Sequence, residues 1–261
     1  MQALFPLLIF GGILFVIGAI VGISGLKNLA RRKRILGTPT SPVRAAQGGM
    51  VEVKGRIAPS EQGVLMAPFS GRHAVWARIT VQEYVSRGRS GYWRTIISEI
   101  DARSFFVDDG SGEYARILPQ NANVMLEKHN IASTGTFKDA PPHLEAFLQS
   151  RGHKSTGFFG FNKQMRYEEE VLAPNDPLYA LGPSRRDPGP PVNDGYRMVP
   201  SSQLVFYAGQ GDAYELILTN KTEEQLVSKL MWGALGGAIT AGIGVILALV
   251  GVIAAVVDNL S

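Results

Sequence analysis

The chain of 261 residues contains no cysteine. That excludes disulfides, thiolate nucleophiles, iron–sulfur ligation and zinc sites of the cysteine type. Histidine is scarce. The four are His73, His129, His143 and His153, none lies four residues from another, and H-E-x-x-H does not occur. G-x-S-x-G and a Walker A lysine loop are absent, as is a G-x-G-x-x-G opening a helix after a strand. Charge is sparse as well, at 18% of residues with a net value of +4. Much of the basic excess sits at 27–34, which makes a local patch and argues against a nucleic-acid-binding surface. No metal site, no cofactor and no catalytic residue is therefore expected.

What is present in quantity is apolar sequence at both ends. Residues 3–26 read ALFPLLIFGGILFVIGAIVGISGL. As a helix, these roughly 24 uncharged residues would reach about 36 Å, enough for a hydrocarbon core of about 30 Å. No Lys or Arg precedes the run, so it has the pattern of an uncleaved anchor and not of a signal peptide. Lys27, Arg31, Arg32, Lys33 and Arg34 follow it directly. Their side of the bilayer is expected to be the cytoplasm. These cations either set topology alone or also hold anionic lipid headgroups. A second uncharged run of about 28 residues covers 230–257. Gly18 and Gly22 in the first run, and Gly233 and Gly237 in the second, match the small-x-x-x-small packing motif. They would pack the runs on each other or support a homodimer. The expected topology is two spans, with both termini outside and the intervening domain cytoplasmic.

Between these runs the pattern is that of strands. A Pro- and Gly-containing linker at 37–49 gives way to alternation at 51–58, then at 74–85 and 92–100 around the loop SRGRSG. Residues 103–119 form the clearest hairpin, turning at DDGSGE. Asp108, Asp109 and Ser111 are more economically a turn than a cation site, because too few oxygen ligands stand near them. PPHLEAFLQSRG at 141–152 is a short amphipathic helix and 165–172 a strand. Within that strand Glu168 and Glu170 share a face and Glu169 takes the other, so Glu168 and Glu170 read as a solvated or salt-bridged strand edge and not as paired catalytic acids. The proline-rich stretch 184–194 is expected to be a mobile loop. Phe158, Phe159 and Phe161 lie in a glycine-flanked loop that either lines a ligand or lipid contact or folds back on the core. Thr222 and Gln225 have the spacing of a capping box.

The layout resembles the GIDE domain, also called BAM for "beside a membrane", found in mulan-type mitochondrial ubiquitin ligases. The residues that carry the likeness are VEVKGRI, LMAPFSGRHAVWARITV, SFFVDDGSGEYARILP and RYEEEVLAPNDPLYALG. Asp108, Asp109 and Gly112 belong to the third of these. In the last, Glu169, Leu172, Asp176, Tyr179 and Gly182 match E-x-x-L-x-x-G-D-x-V-Y-x-x-G, with Asn175 where the family has glycine and Leu178 where it has valine. In the ligases a cysteine-rich RING follows the second span. A chain without cysteine lacks that chemistry.

The expected fold class is α+β: a mainly antiparallel β domain, with an OB-like small barrel as one form of it, flanked by two transmembrane helices. The expected function is a non-catalytic, membrane-anchored module that binds a ligand, lipid or protein, with envelope stress as one setting. The alternative is a ubiquitin-ligase-like protein whose activity needs a separate RING subunit. Lys27, Arg31, Arg32, Lys33, Arg34, Phe158, Phe159 and Phe161 are the candidate contact residues. Membrane lipids and a protein or small-molecule ligand are the expected partners.

Overall fold

A computed structural model describes residues 4–135, 139–156, 162–193, 198–211 and 214–222, with scattered positions between 224 and 250. The chain divides into two compact units. One is Thr40–Asn220, and the other joins Met1–Pro39 with Lys221–Ser261.

The strands of the central unit are β1 (Gly49–Pro59), β2 (Leu65–Met66), β3 (His73–Ala74), β4 (Trp76–Arg87), β5 (Ser90–Ala102), β6 (Phe105–Asp108) and β7 (Tyr114–Ile117). There follow β8 (Asn123–Val124), β9 (His129–Thr134), β10 (Met165–Leu172), β11 (Pro177–Asn193), β12 (Met198–Phe206) and β13 (Ile217–Thr219). β1, β6, β7, β12 and β11 are hydrogen-bonded in that order, and β11 returns to β1, so five strands close into a barrel. One junction, β12 with β7, is parallel, and the other barrel pairings are antiparallel. Closure follows from the alternation in β1. Val51, Val53 and Ile57 point inward and meet Phe105, Val107, Ala115, Ile117, Leu204 and Phe206 in one apolar core. Gly55 lies where β1 crosses from β11 to β6, and a Cβ there would strike the carbonyl oxygen of Asp108.

A second sheet runs in the order β5, β4, β10, β9. The helix α2 (Pro142–Ser150) lays Leu144 and Leu148 on it, against Phe69, Ile79, Val81, Ile97, Met165 and Tyr167. Proline opens this helix and Gly152 follows it with φ 74°, the left-handed conformation glycine adopts freely. Burial, aided by the charge of Glu145, pushes the Tyr167 hydroxyl up to about 12.

Several expectations need correcting. Among the described residues the structure is mostly β, with a closed five-stranded barrel and two helices, not an α+β domain between two transmembrane helices. Among the described residues no helix is long and apolar enough to cross a membrane. The two expected spans, the membrane-protein assignment and the topology with both termini outside and a cytoplasmic domain are therefore not supported. A span needs an unbroken apolar cylinder of about 20 residues. The helix α1 (Leu4–Gly37) carries the basic residues from Lys27 to Arg34 in its last part.

The proline-rich stretch at 184–194 is not a loop either, because β11 runs through it to Asn193. Pairing with β1 ends at Ser184, and beyond it β11 pairs with β12 alone among the described residues. One side of the strand is then open, and the register shifts between Gly189 and Val192. Prolines are tolerated at such edges and bulges because no partner strand needs their missing N–H.

Candidate binding surface

The residues singled out from the family-like motifs are holding the fold together. Asp109 accepts a hydrogen bond from the Val43 N–H at 2.8 Å and another from the Ser111 N–H at 3.0 Å. Asp108 accepts one from the Gly110 N–H at 2.9 Å. These are Asx turns within a hairpin, and Gly112 at φ 94° completes the reversal. Burial opposes ionisation of Asp109, but the Ser111 hydroxyl and the Val43 and Ser111 N–H groups outweigh it and hold its carboxyl below the usual range. The segment at 43–46 is clamped from its other side by Arg186. That guanidinium donates to the carbonyls of Val43 at 2.6 Å and Ala46 at 2.8 Å and pairs with Glu113 at 2.7 Å.

Glu169 is buried and accepts from the N–H groups of Phe69 at 2.9 Å and Ser70 at 3.2 Å, which fixes the turn between β2 and β3. On the opposite face Glu170 pairs with Arg78 at 3.1 Å and Glu168 with Lys128 at 2.9 Å. The strand carrying all three lies between β4 and β9 and is not an edge. Leu172 is fully buried in the barrel core. Asp176 accepts from the Ala173 N–H at 3.0 Å and closes the turn in which Asn175 has φ 68°. Gly182 lies against Leu216, where a Cβ would come within 2.9 Å of its Cα. Tyr179 donates to the buried Glu52 at 2.7 Å. Glu52 in turn accepts from the Thr40 hydroxyl and pairs with Lys54 at 3.2 Å.

The proposed contact residues are not brought together. Lys27, Arg31, Arg32, Lys33 and Arg34 lie in the last part of α1, where Lys27 and Lys33 are exposed and the three arginines half-buried. Arg31 bonds the Asn28 side chain at 3.5 Å. Phe158, Phe159 and Phe161 fall outside the described residues, as do Gly233 and Gly237. Gly18 and Gly22 are within α1.

The hairpin of β4 and β5 is expected from the sequence, but not that its end runs past the strand beside it. The register of β4 with β10 ends at Met165 opposite Glu83, with one further bond from the Tyr84 N–H to the Gln164 carbonyl at 2.9 Å. The hairpin continues as a two-stranded ribbon, Val85 facing Tyr92, Ser86 facing Gly91 and Arg87 facing Ser90. Aromatic packing stiffens its base. Trp93 meets Tyr84 edge-on at 5.3 Å, and the Arg166 guanidinium covers Trp93 at 3.8 Å. Gly91 leaves room for the Tyr84 ring, which would have to shift to accept a Cβ there.

The charge on this ribbon is one-sided. Glu83 is shared between Arg94 at 3.5 Å and Lys163 at 3.6 Å. Arg87 and Arg89 are exposed, and neither guanidinium has a partner among the described residues. Tyr92 is 50% exposed. The signal in the sequence was the run R-G-R within a loop flanked by Tyr, Tyr and Trp. A reading in terms of turn residues alone does not weigh it. Among the described residues no group of acids and histidines is placed to hold a metal ion.

No family model, no characterised protein and no solved structure matches this chain, so nothing among known proteins supports a GIDE or BAM domain assignment.

Proposed function

We propose that Thr40–Asn220 is a non-catalytic binding module whose ligand is a protein partner. The observation that carries this reading is the β4–β5 ribbon, which outruns its sheet and presents arginine and tyrosine, residue types enriched where interfaces concentrate their binding energy. The carboxylates favour the same reading. Glu52, Asp109, Glu169, Glu170 and Asp176 each hold a hydroxyl, a backbone N–H or a guanidinium of the fold itself. Carboxylates so engaged are poorly placed to act as general acids or bases, which must reach a substrate proton.

The test is site-specific photo-crosslinking in the source cells, with the crosslinker placed at Tyr92 and, separately, at Tyr114. Both side chains are 50% exposed, and they stand on the ribbon and on the barrel. A discrete protein adduct from either position is expected. Absence of any adduct from both, or labelling of the purified chain by a broad hydrolase probe, would overturn the reading.

A further inference from the structure

We infer that the ribbon binds an acidic, extended protein segment, which adds as a strand along the outer edge of β5 with its carboxylates on Arg87, Arg89 and Arg94. The inference rests on the binding-module reading and names the chemistry of the partner. β5 is the outermost strand of its sheet, is 13 residues long and pairs with β4 alone among the described residues. Its outward N–H and C=O groups are a template for an added strand. Strand addition takes its affinity from those main-chain bonds and its selectivity from side chains alongside them.

The charge along β5 sets what those side chains select. Arg87 and Arg89 at the tip and Arg94, five positions beyond Arg89, make one end cationic, while Glu99 and Asp101 stand toward the other end. Glu99 is already committed to Arg151, with bonds of 2.6 and 2.7 Å. An incoming strand with carboxylates near the tip meets Arg87 and Arg89, which have no acidic partner among the described residues, and Arg94, which shares Glu83 with Lys163, and one with cations there is repelled. The aromatic framework keeps the cationic end preorganised, which lowers the ordering cost of binding.

A phosphodiester chain fits this surface less well. Its single-stranded form is bound by stacking bases on open aromatic faces. Here one face of Trp93 is covered by Arg166, and Tyr84 meets its edge.

The experiment uses the full chain and an alternating Glu–Val peptide, followed by calorimetry and by hydrogen exchange of the β5 amides. The controls are the Lys–Val peptide, the Glu–Val peptide N-methylated at every second residue, and an oligothymidylate. Expected results are binding of the Glu–Val peptide with slowed exchange in 90–95, loss on N-methylation, and a weakening of about tenfold or more in the Arg87→Glu/Arg89→Glu chain. Circular dichroism of that variant shows whether it is folded, and Arg87→Ala/Arg89→Ala, expected to bind in between, serves if it is not. Equal affinity for the N-methylated peptide would overturn strand addition. Tighter binding of oligothymidylate, or a change of oligomeric mass in the charge-reversed chain, would replace the acidic segment with a nucleic acid or a second copy. If crosslinked partners persist after charge reversal, the ribbon proposal fails and the binding module stands. If no partner is crosslinked at all, the module itself fails.

Discussion

The hydroxyl of Tyr179 donates a 2.7 Å hydrogen bond to the carboxylate of Glu52, across the seam where β11 meets β1 to close the barrel. Glu52 is 1% exposed, so its charge depends on the donors that surround it. Those donors are Tyr179, the Thr40 hydroxyl and the Lys54 ammonium. Removing one hydroxyl leaves a buried carboxylate short of a partner, which costs about 1–3 kcal/mol. Tyr179→Phe is expected to lower the denaturant midpoint by that amount, as read by urea unfolding. In the double variant Tyr179→Phe/Glu52→Gln the loss is expected to be smaller than the sum of the two single losses, because the buried charge has gone with its donor.

Asp109 ties the hairpin between β6 and β7 to the segment after α1. Its carboxyl is held below the usual range in the folded chain. A depressed carboxyl contributes stability that is present above the ordinary carboxylate pKa of about 4 and is lost as pH falls through the folded value. Hydrogen exchange at the Val43 amide is therefore expected to accelerate, after correction for the intrinsic rate, as pH is lowered through and below that range. In Asp109→Asn the Val43 amide is expected to exchange faster at neutral pH, with its acid dependence flattened.

Asn175 has φ 68° in the turn closed by Asp176. Asparagine tolerates this left-handed conformation, glycine adopts it freely, and a β-branched residue is strained there. Asn175→Gly is expected to change stability by a few tenths of a kcal/mol, and Asn175→Val to cost about 1–2 kcal/mol. Thermal unfolding of the two variants side by side measures the difference.

Leu148 is fully buried between α2 and the second sheet, while Arg151, one turn further on, pairs with Glu99 at the surface. Hydrogen bonding to Arg151 holds the Glu99 carboxyl below its usual value. Even so, the pair is solvated and screened. Leu148→Ala is expected to cost about 2–5 kcal/mol, and Arg151→Ala about 0–1 kcal/mol from the lost pair. Chemical denaturation in low and high salt distinguishes them, since only the second loss shrinks with salt.

Local features were legible in the residues alone because local physics decides them. Alternation gave away β1 and β10, the glycines of DDGSGE marked the β6–β7 turn, and proline, the apolar stripe and Gly152 bounded α2. Thr222 and Gln225 do exchange capping bonds, at 3.3 and 3.4 Å. The absence of cysteine settled which chemistries were closed to the chain before any fold was known. Three matters were decided by tertiary structure. The prolines of β11 read as a loop, yet they lie in a strand because one side of that strand has no partner to bond. Alternation put Glu169 and Glu170 on opposite faces, but which donors they meet, the amides of Phe69 and Ser70 for one and Arg78 for the other, was set by the fold. Arg87 and Arg89 read as loop residues, and they became a candidate surface only because β4 and β5 extend past the strand beside them. Spacing along a chain fixes which side chains share a face. Which face stays open depends on where the neighbouring strand ends, and that is set by pairing between residues far apart in sequence.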